Sequence, residues 1–207
     1  DGLIRNQLRM LLAVDESVGR VLAALAEQGE LDRTVVLFTS DNGYFWGEHG
    51  LGDKRWAYEE SIRVPLLIRY PRLVRPGTVI EEMVLNVDLA PTLLELAGAR
   101  PEPPPTFHGR SLLPLFGTQR REWRQAALFE YFQETNYPRA PTWQAVRTPR
   151  WKYIHYPELE GMDELYDLAA DPHELRNRIA DPAAQEALAQ LQRERERLLR
   201  ETVPPGP

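Results

Sequence analysis

The sequence predicts an α/β protein whose C-terminal end carries a small antiparallel sheet and one covering helix. Three observations carry that prediction. A helical apolar period near the N-terminus leads into an uninterrupted β-branched run. A proline-dense stretch follows, and the remainder holds short aromatic strands joined by turns.

In the first segment Leu8, Leu11, Leu12, Val18, Val21, Leu22 and Leu25 recur at three- and four-residue spacing, with charged residues between them. That period predicts an amphipathic helix, and Gly29 is placed to end it. Thr34 to Thr39 reads as a strand buried on both faces. Helix followed by buried strand is the rhythm of a parallel sheet. A glycine-rich, aromatic loop occupies Ser40 to Arg55, and a short helix is expected around Trp56 to Ser61. A second buried strand, Val64 to Tyr70, has Pro65 near its start, where a missing backbone donor is tolerated. Asp88 is placed to cap a helix running to Ala97, with Pro91 in its first turn and Gly98 just past its end.

Arg100 to Thr106 contains four prolines and reads as an extended linker. It divides the chain into 1–106, the α/β portion, and 107–207, the small-sheet portion. In the second portion Leu128 to Phe132, Thr142 to Thr148, Trp151 to Tyr156 and Glu164 to Leu168 are strand candidates. The pair across Thr148-Pro149-Arg150 has the form of a hairpin. A last helix, Pro182 to Glu201, carries Leu188, Leu191, Leu198 and Leu199 on one face; its Arg-Glu-Arg-Glu-Arg run reads as a solvated face with charge pairs.

Composition narrows the function classes. Of the 207 residues, 43% are hydrophobic and 27% charged, which fits a packed protein and not a disordered one. The net charge of −6 offers no general attraction to nucleic acid. With no cysteine, disulfides, thiolate metal sites and any cysteine-derived nucleophile are excluded within this chain. No apolar run approaches the length of a membrane span, and the first residues lack a basic-then-apolar leader pattern, which leaves the compartment open. Lysine occurs only at Lys54 and Lys152, among 25 lysine and arginine residues together. Each is worth inspection, because a compact ammonium differs chemically from a planar guanidinium.

The densest set of chemical groups lies in Ser40 to Arg55, just beyond a predicted strand, where open α/β sheets bind ligands. Asp41 and Asn42 offer two hard oxygen donors suited to Ca²⁺ or Mg²⁺. His49 can donate a proton or hold a substrate oxygen, and Lys54 can neutralise a sulfuryl or phosphoryl oxyanion. The bland alternative stands beside this: Asp-Asn-Gly is a turn former, and a loop histidine is commonly a plain surface residue. Glu59 and Glu60, near a helix end, read as salt-bridge or capping residues, with Arg63 a partner for one of them. His108 and His173 read as surface. His155, Trp143, Trp151 and Tyr156 are suited to a sugar face, but aromatic strands mostly fill cores.

The run Val35 to Gly43, then Gly47-Glu48-His49-Gly50, Lys54, and Tyr58-Glu59-Glu60-Ser61-Ile62-Arg63-Val64-Pro65 resembles the C-terminal half of a sulfatase. The family meant is the type I, formylglycine-dependent sulfatases of the alkaline phosphatase superfamily. Asn86 to Leu94, His108 to Leu112, Ala145 to Thr148, Trp151 to Ile154 and Glu164 to Leu168 extend the resemblance in the expected order. Tyr44-Phe45-Trp46 and Glu160-Gly161-Met162-Asp163 most resemble the branch containing N-acetylglucosamine-6-sulfatases. The resemblance implies an alkaline-phosphatase-like sulfatase fold with the small sheet and helix as C-terminal subdomain. It implies that Asp41 and Asn42 supply two calcium ligands, that Lys54 contacts the substrate sulfate, and that His49 supports the site. A sulfate ester of a sugar or aryl alcohol is the implied substrate class. The implied compartment is periplasmic, extracellular or lysosome-like.

One departure is as informative as the match. The family's nucleophile motif, Cys or Ser, any residue, Pro or Ala, any residue, Arg, is absent; none of Ser17, Ser40, Ser61 and Ser111 begins it. The formylglycine and the other metal ligands are therefore expected in an N-terminal half outside this sequence, which becomes the chain's first expected partner. These residues alone are expected not to hydrolyse sulfate esters, since calcium wants six to eight oxygens. Two rivals remain: a phosphodiesterase or phosphonate monoester hydrolase of the same superfamily, and a non-catalytic module binding a partner half or a sulfated glycan. An exposed edge on a truncated sheet would also favour oligomers.

Overall fold

The computed structural model describes residues 2–100, 106–117 and 122–202. Most of the expected proline linker, 101–105, lies outside the described residues. The chain opens with α1 (Gly2–Glu27), the predicted amphipathic helix. Gly29 ends it as expected, at φ +68: its N–H donates to Ala26 O and the Glu30 N–H to Leu25 O, closing the last turn. The strand that follows, β1 (Val36–Thr39), pairs with β4 (Leu66–Arg69).

This pair corrects the expected parallel sheet. β1 and β4 run antiparallel, in the register Val36↔Arg69 to Thr39↔Leu66. The reason lies in the connection. A parallel pair needs a crossover long enough to traverse the sheet, usually a helix. Between β1 and β4 the chain instead forms a hairpin, β2 (Phe45–Trp46) with β3 (Gly52–Asp53), and the single turn α2 (Glu59–Ile62). The strands are also not buried on both faces. Phe38 and Leu67, directly opposite one another, are 40% and 64% exposed. Between that face of β1 and α1 lies an open apolar groove lined by Val18, Leu22, Val36 and Phe38.

The predicted helix after Asp88 is α3 (Leu89–Leu96), with Pro91 in the first turn and Gly98 beyond the end at φ +63. Asp88 sits at the capping position but does not use its carboxylate on the helix. That carboxylate, fully buried, accepts hydrogen bonds from the Leu85 N–H (2.8 Å), the Arg110 N–H (2.8 Å) and Arg124 Nη2 (2.6 Å). A buried carboxylate needs several donors, and these three satisfy it better than one helix N–H could.

All four C-terminal strand predictions hold: β5 (Ala127–Tyr131), β6 (Trp143–Arg147), β7 (Trp151–His155) and β8 (Glu164–Asp167) form one antiparallel meander in that order. The alternation of side chains splits the core into two clusters. Val146, Tyr153 and Leu165 pack under α4 (Gln185–Thr202), against Leu188, Leu191 and Leu198. Their strand neighbours Ala145, Ile154 and Tyr166 face the opposite way, joining Trp143, Tyr156 and the stretch Trp56, Ala57, Tyr58 and Ile62. Segment 56–62, which begins two residues after Lys54, thus becomes the cover of the sheet's second face. Trp143 and Tyr156 are core residues, Trp151 packs partly buried against the core, and His108 and His173 are exposed, as the plainer expectation had it. The Arg-Glu-Arg-Glu-Arg run of α4 is solvated only in part: Arg197 pairs with Glu194 and Glu201, whereas Arg195 turns inward, with its Nε and Nη1 buried.

Candidate functional site

The site begins where β1 ends. Asp41 turns back on the chain, its Oδ1 accepting the Asn42 N–H at 2.9 Å, while Ser40 Oγ donates to Asn42 O at 2.8 Å. The Asn86 side-chain amide donates to both Ser40 O and Asp41 O at 3.1 Å. On the other side Gly43 presses against α2: its N–H donates to Ser61 O at 2.7 Å, and a Cβ at this position would stand 1.9 Å from Glu60 O. Only glycine permits that approach. The Asp41-Asn42 turn is therefore held from two directions, which a freely moving loop turn would not be.

The hairpin β2–β3 then returns the chain to the same place. Lys54 Nζ donates to Asn42 Oδ1 at 2.7 Å and lies 3.8 Å from Asp41 Oδ2. Its own carbonyl accepts the Ser61 hydroxyl. Lys54, Asn42 and Asp41 form one cluster at the strand end, with the Asp41 side chain 83% exposed. An ammonium presented to solvent beside an oxygen-rich turn can hold an oxyanion.

His49 goes elsewhere. Its ring stacks on Tyr58 at 4.0 Å between centroids, its Nε2 is 3.5 Å from Glu60 Oε2, and Phe45 meets its edge. Tyr58 in turn donates to Glu164 Oε2 at 2.9 Å; Tyr156 and Tyr166 donate to the same carboxylate. Burial first, then the charge of Glu164 and the hydrogen bonds to it, pushes all three phenols above the ordinary tyrosine range. Of the four sequence-predicted residues, three meet and the fourth is built into this aromatic packing.

The oxygen donors fall short of the metal that the resemblance implies. Asn42 Oδ1 already accepts the Lys54 ammonium, and among the described residues no group of three or more acidic or histidine side chains converges. Two oxygens fall well short of the six to eight that calcium takes. These residues by themselves do not form a calcium site.

Two constellations escaped the sequence. The first surrounds Lys152, which is fully buried: its Nζ lies 2.6 Å from Glu174 Oε1, 3.0 Å from Glu59 Oε1, and donates to Ala57 O at 2.9 Å. Arg147 completes it, 3.2 Å from Glu59 Oε2. Burial raises the Glu59 carboxyl, but Lys152 and Arg147 outweigh that and hold it below the carboxylate range. For Glu174 burial wins, pushing its carboxyl up. Glu59 does make the salt bridges expected of it, Glu60 Oε2 stands 3.5 Å from His49 Nε2 without a hydrogen bond, and Arg63 has neither as a partner among the described residues. The scarcity of lysine was the one available signal for Lys152. The second constellation joins Arg55 to Asp53, Glu134 and Tyr137. His155 bonds Asp163 through Nδ1 at 3.0 Å.

Residues 47–201 match the family model described as N-sulphoglucosamine sulphohydrolase, C-terminal. The chain belongs to that family. Within the sulfatases of the alkaline phosphatase superfamily it is 41% identical over 177 residues to an N-acetylglucosamine-6-O-sulfatase of Bacteroides thetaiotaomicron, covering 84% of this chain and 31% of that protein. A solved structure in complex with its substrate, D-glucosamine-2-N,6-O-disulfate, superimposes with a TM-score of 0.85 at 36% identity, over 94% of this chain and 40% of the other. A phosphonate monoester hydrolase of Agrobacterium radiobacter superimposes with a TM-score of 0.80 at 30% identity, over 92% and 40%. The chain therefore spans about a third of the length of its curated relatives. The family assignment fits the alkaline-phosphatase-like fold expected from the motifs.

Proposed function

We propose that this chain is the C-terminal part of a sulfatase that hydrolyses a sulfate ester of an amino sugar. The observation that carries the proposal is the Lys54–Asn42–Asp41 cluster at the end of β1, in a chain whose relatives include N-acetylglucosamine-6-sulfatases. Lys54 binds a sulfuryl oxygen and stabilises the charge that grows there as the ester bond breaks. Asn42 orients the ammonium. Asp41 and Asn42 are the two donors this chain would lend to a hard divalent cation, calcium or magnesium, whose other ligands lie outside it. The nucleophile, a formylglycine by family resemblance, also lies outside, since no residue here fits its motif. His49 supports the site through Tyr58 and Glu60 and does not touch the sulfate.

The test is steady-state kinetics of the complete protein on N-acetylglucosamine-6-sulfate. Lys54→Ala is expected to lower kcat/KM by about 10²-fold, the scale for losing one oxyanion donor. An unchanged kcat/KM would remove Lys54 from the site. The phosphonate monoester hydrolase likeness favours a second reading, phosphoryl transfer at the same cluster. A higher kcat/KM on a phenylphosphonate monoester than on any sulfate ester would decide for it.

A further inference from the structure

Lys54 and Arg55 are consecutive but serve different neighbours. Lys54 reaches back to Asn42, whereas Arg55 is gripped by the β5–β6 connection. Trp143 Nε1 donates to the Arg55 carbonyl at 2.9 Å. The guanidinium donates through Nε to Glu134 Oε1 at 3.0 Å, pairs with Asp53, and lies over the Tyr137 ring 3.3 Å from its centroid. Tyr131 donates to Glu134 from β5 at 3.2 Å. The hydrogen bond from Arg55 holds the Glu134 carboxyl below its usual range.

The connection itself is the longest in this sheet. Residues 132–142 join β5 to β6, against 148–150 between β6 and β7 and 156–163 between β7 and β8. A long hairpin loop costs entropy and is kept where it serves a purpose. This one is ordered by its own bonds: Thr142 Oγ1 accepts the Gln133 N–H, the Gln133 side chain donates to Pro138 O, and the Tyr137 N–H donates to Glu134 O. Yet residues 132–139 are all exposed, Tyr137 by 46%. Arg55 covers one face of the Tyr137 ring. Tyr137 nonetheless keeps 46% of its surface open, and the hydrogen-bearing face of a pyranose ring is the kind of flat apolar partner that an exposed aromatic ring takes.

We propose that Tyr137 is a specificity-determining residue that stacks on the sugar ring of the ester, with Arg55 and Glu134 as positioning residues that fix it beside Lys54. This rests on the sulfatase proposal above. Sulfate and sugar are then recognised by adjacent residues of one chain segment: Lys54 takes the anion, and Arg55 aims the platform for the leaving group.

The experiment uses the complete protein and its Tyr137→Ala and Tyr137→Phe variants. KM and kcat are measured for N-acetylglucosamine-6-sulfate, together with the inhibition constant of inorganic sulfate, which occupies only the anion site. Tyr137→Ala is expected to raise KM about tenfold, with kcat and the sulfate inhibition constant changed less than about twofold. Tyr137→Phe, which keeps the ring, is expected to restore the original KM. An unchanged KM in Tyr137→Ala, or a sulfate inhibition constant rising in step with KM, overturns the stacking role alone. If the unsubstituted protein turns over no sulfate ester, the sulfatase proposal falls and the stacking role with it.

Discussion

The two ends of this chain bury themselves differently. From β5 to α4 the sheet has both faces covered, and Val146, Ile154 and Leu165 are fully buried. The 26 residues of α1 include no buried side chain, and Leu8, Leu11, Leu12 and Val21 are about half exposed or more. The apolar period is as regular in α1 as in α4. A period states that a face wants cover but not where the cover comes from. The C-terminal sheet finds its cover within the chain, in α4 and in segment 56–62; the helix and the β1–β4 pair do not find theirs among the described residues. For relatives about three times as long, that is where the remaining chain would pack.

The sharpest way to break this contrast is in the closed core. Trp143→Ala should cost about 3–5 kcal/mol, because it opens a cavity and releases the Arg55 carbonyl. Urea unfolding of the 207-residue chain measures it, and a loss below about 1 kcal/mol would show that this sheet is not self-sufficient. Lys152→Met should be comparably damaging, about 3–5 kcal/mol, since it leaves Glu174 and Glu59 facing each other in the interior. Adding Glu174→Gln should recover a substantial part, and a double variant no better than the single one would refute charge imbalance as the cause.

At the junction of the two regions, Gly43→Ala forces the Asp41-Asn42 turn off Glu60 O. It should lower activity of the complete protein by about 10²-fold through misplacement of the cluster, with unchanged kinetics the refuting result. A smaller effect is expected from acid. The Arg150 hydrogen bonds hold the Asp167 carboxyl below its usual value. Its contribution to stability is therefore full above the unfolded carboxylate pKa of about 4 and is lost as pH falls through the lower folded value. Asp167→Asn should flatten the decline of the thermal midpoint below about pH 4; an identical slope would discount the pair. The smallest effect should be Leu11→Ala, within about 0.5 kcal/mol in the 207-residue chain. In the complete protein the same substitution should cost about 2–4 kcal/mol if the rest of the domain covers α1.

Much of the fold was legible because its signals are local. Gly29 and Gly98 end their helices where the sequence put them, and the four C-terminal strands alternate as written. The candidate cluster was legible too, for Asn42 and Lys54 are only 12 residues apart on a loop dense in hard donors. Strand direction was misread, because helix-then-strand suggests a crossover and nothing local reveals that 40–65 folds as a hairpin instead. The destinations of His49, Asp88 and Lys152 were equally hidden. Asp88 and Lys152 take partners from distant sequence, as Glu59 and Glu174 do, 115 residues apart, whereas His49 meets Tyr58 and Glu60 of the next turn.

The sequence alone determined most of the elements, the family and the absence of the nucleophile motif from this chain, since these depend on residue types at fixed spacing. Only the tertiary structure decided which charges neutralise one another and which loop grips Arg55. Burial makes an unpaired charge intolerable, so the fold, and not the local pattern, selects the partners that Arg55, Asp88 and Lys152 take.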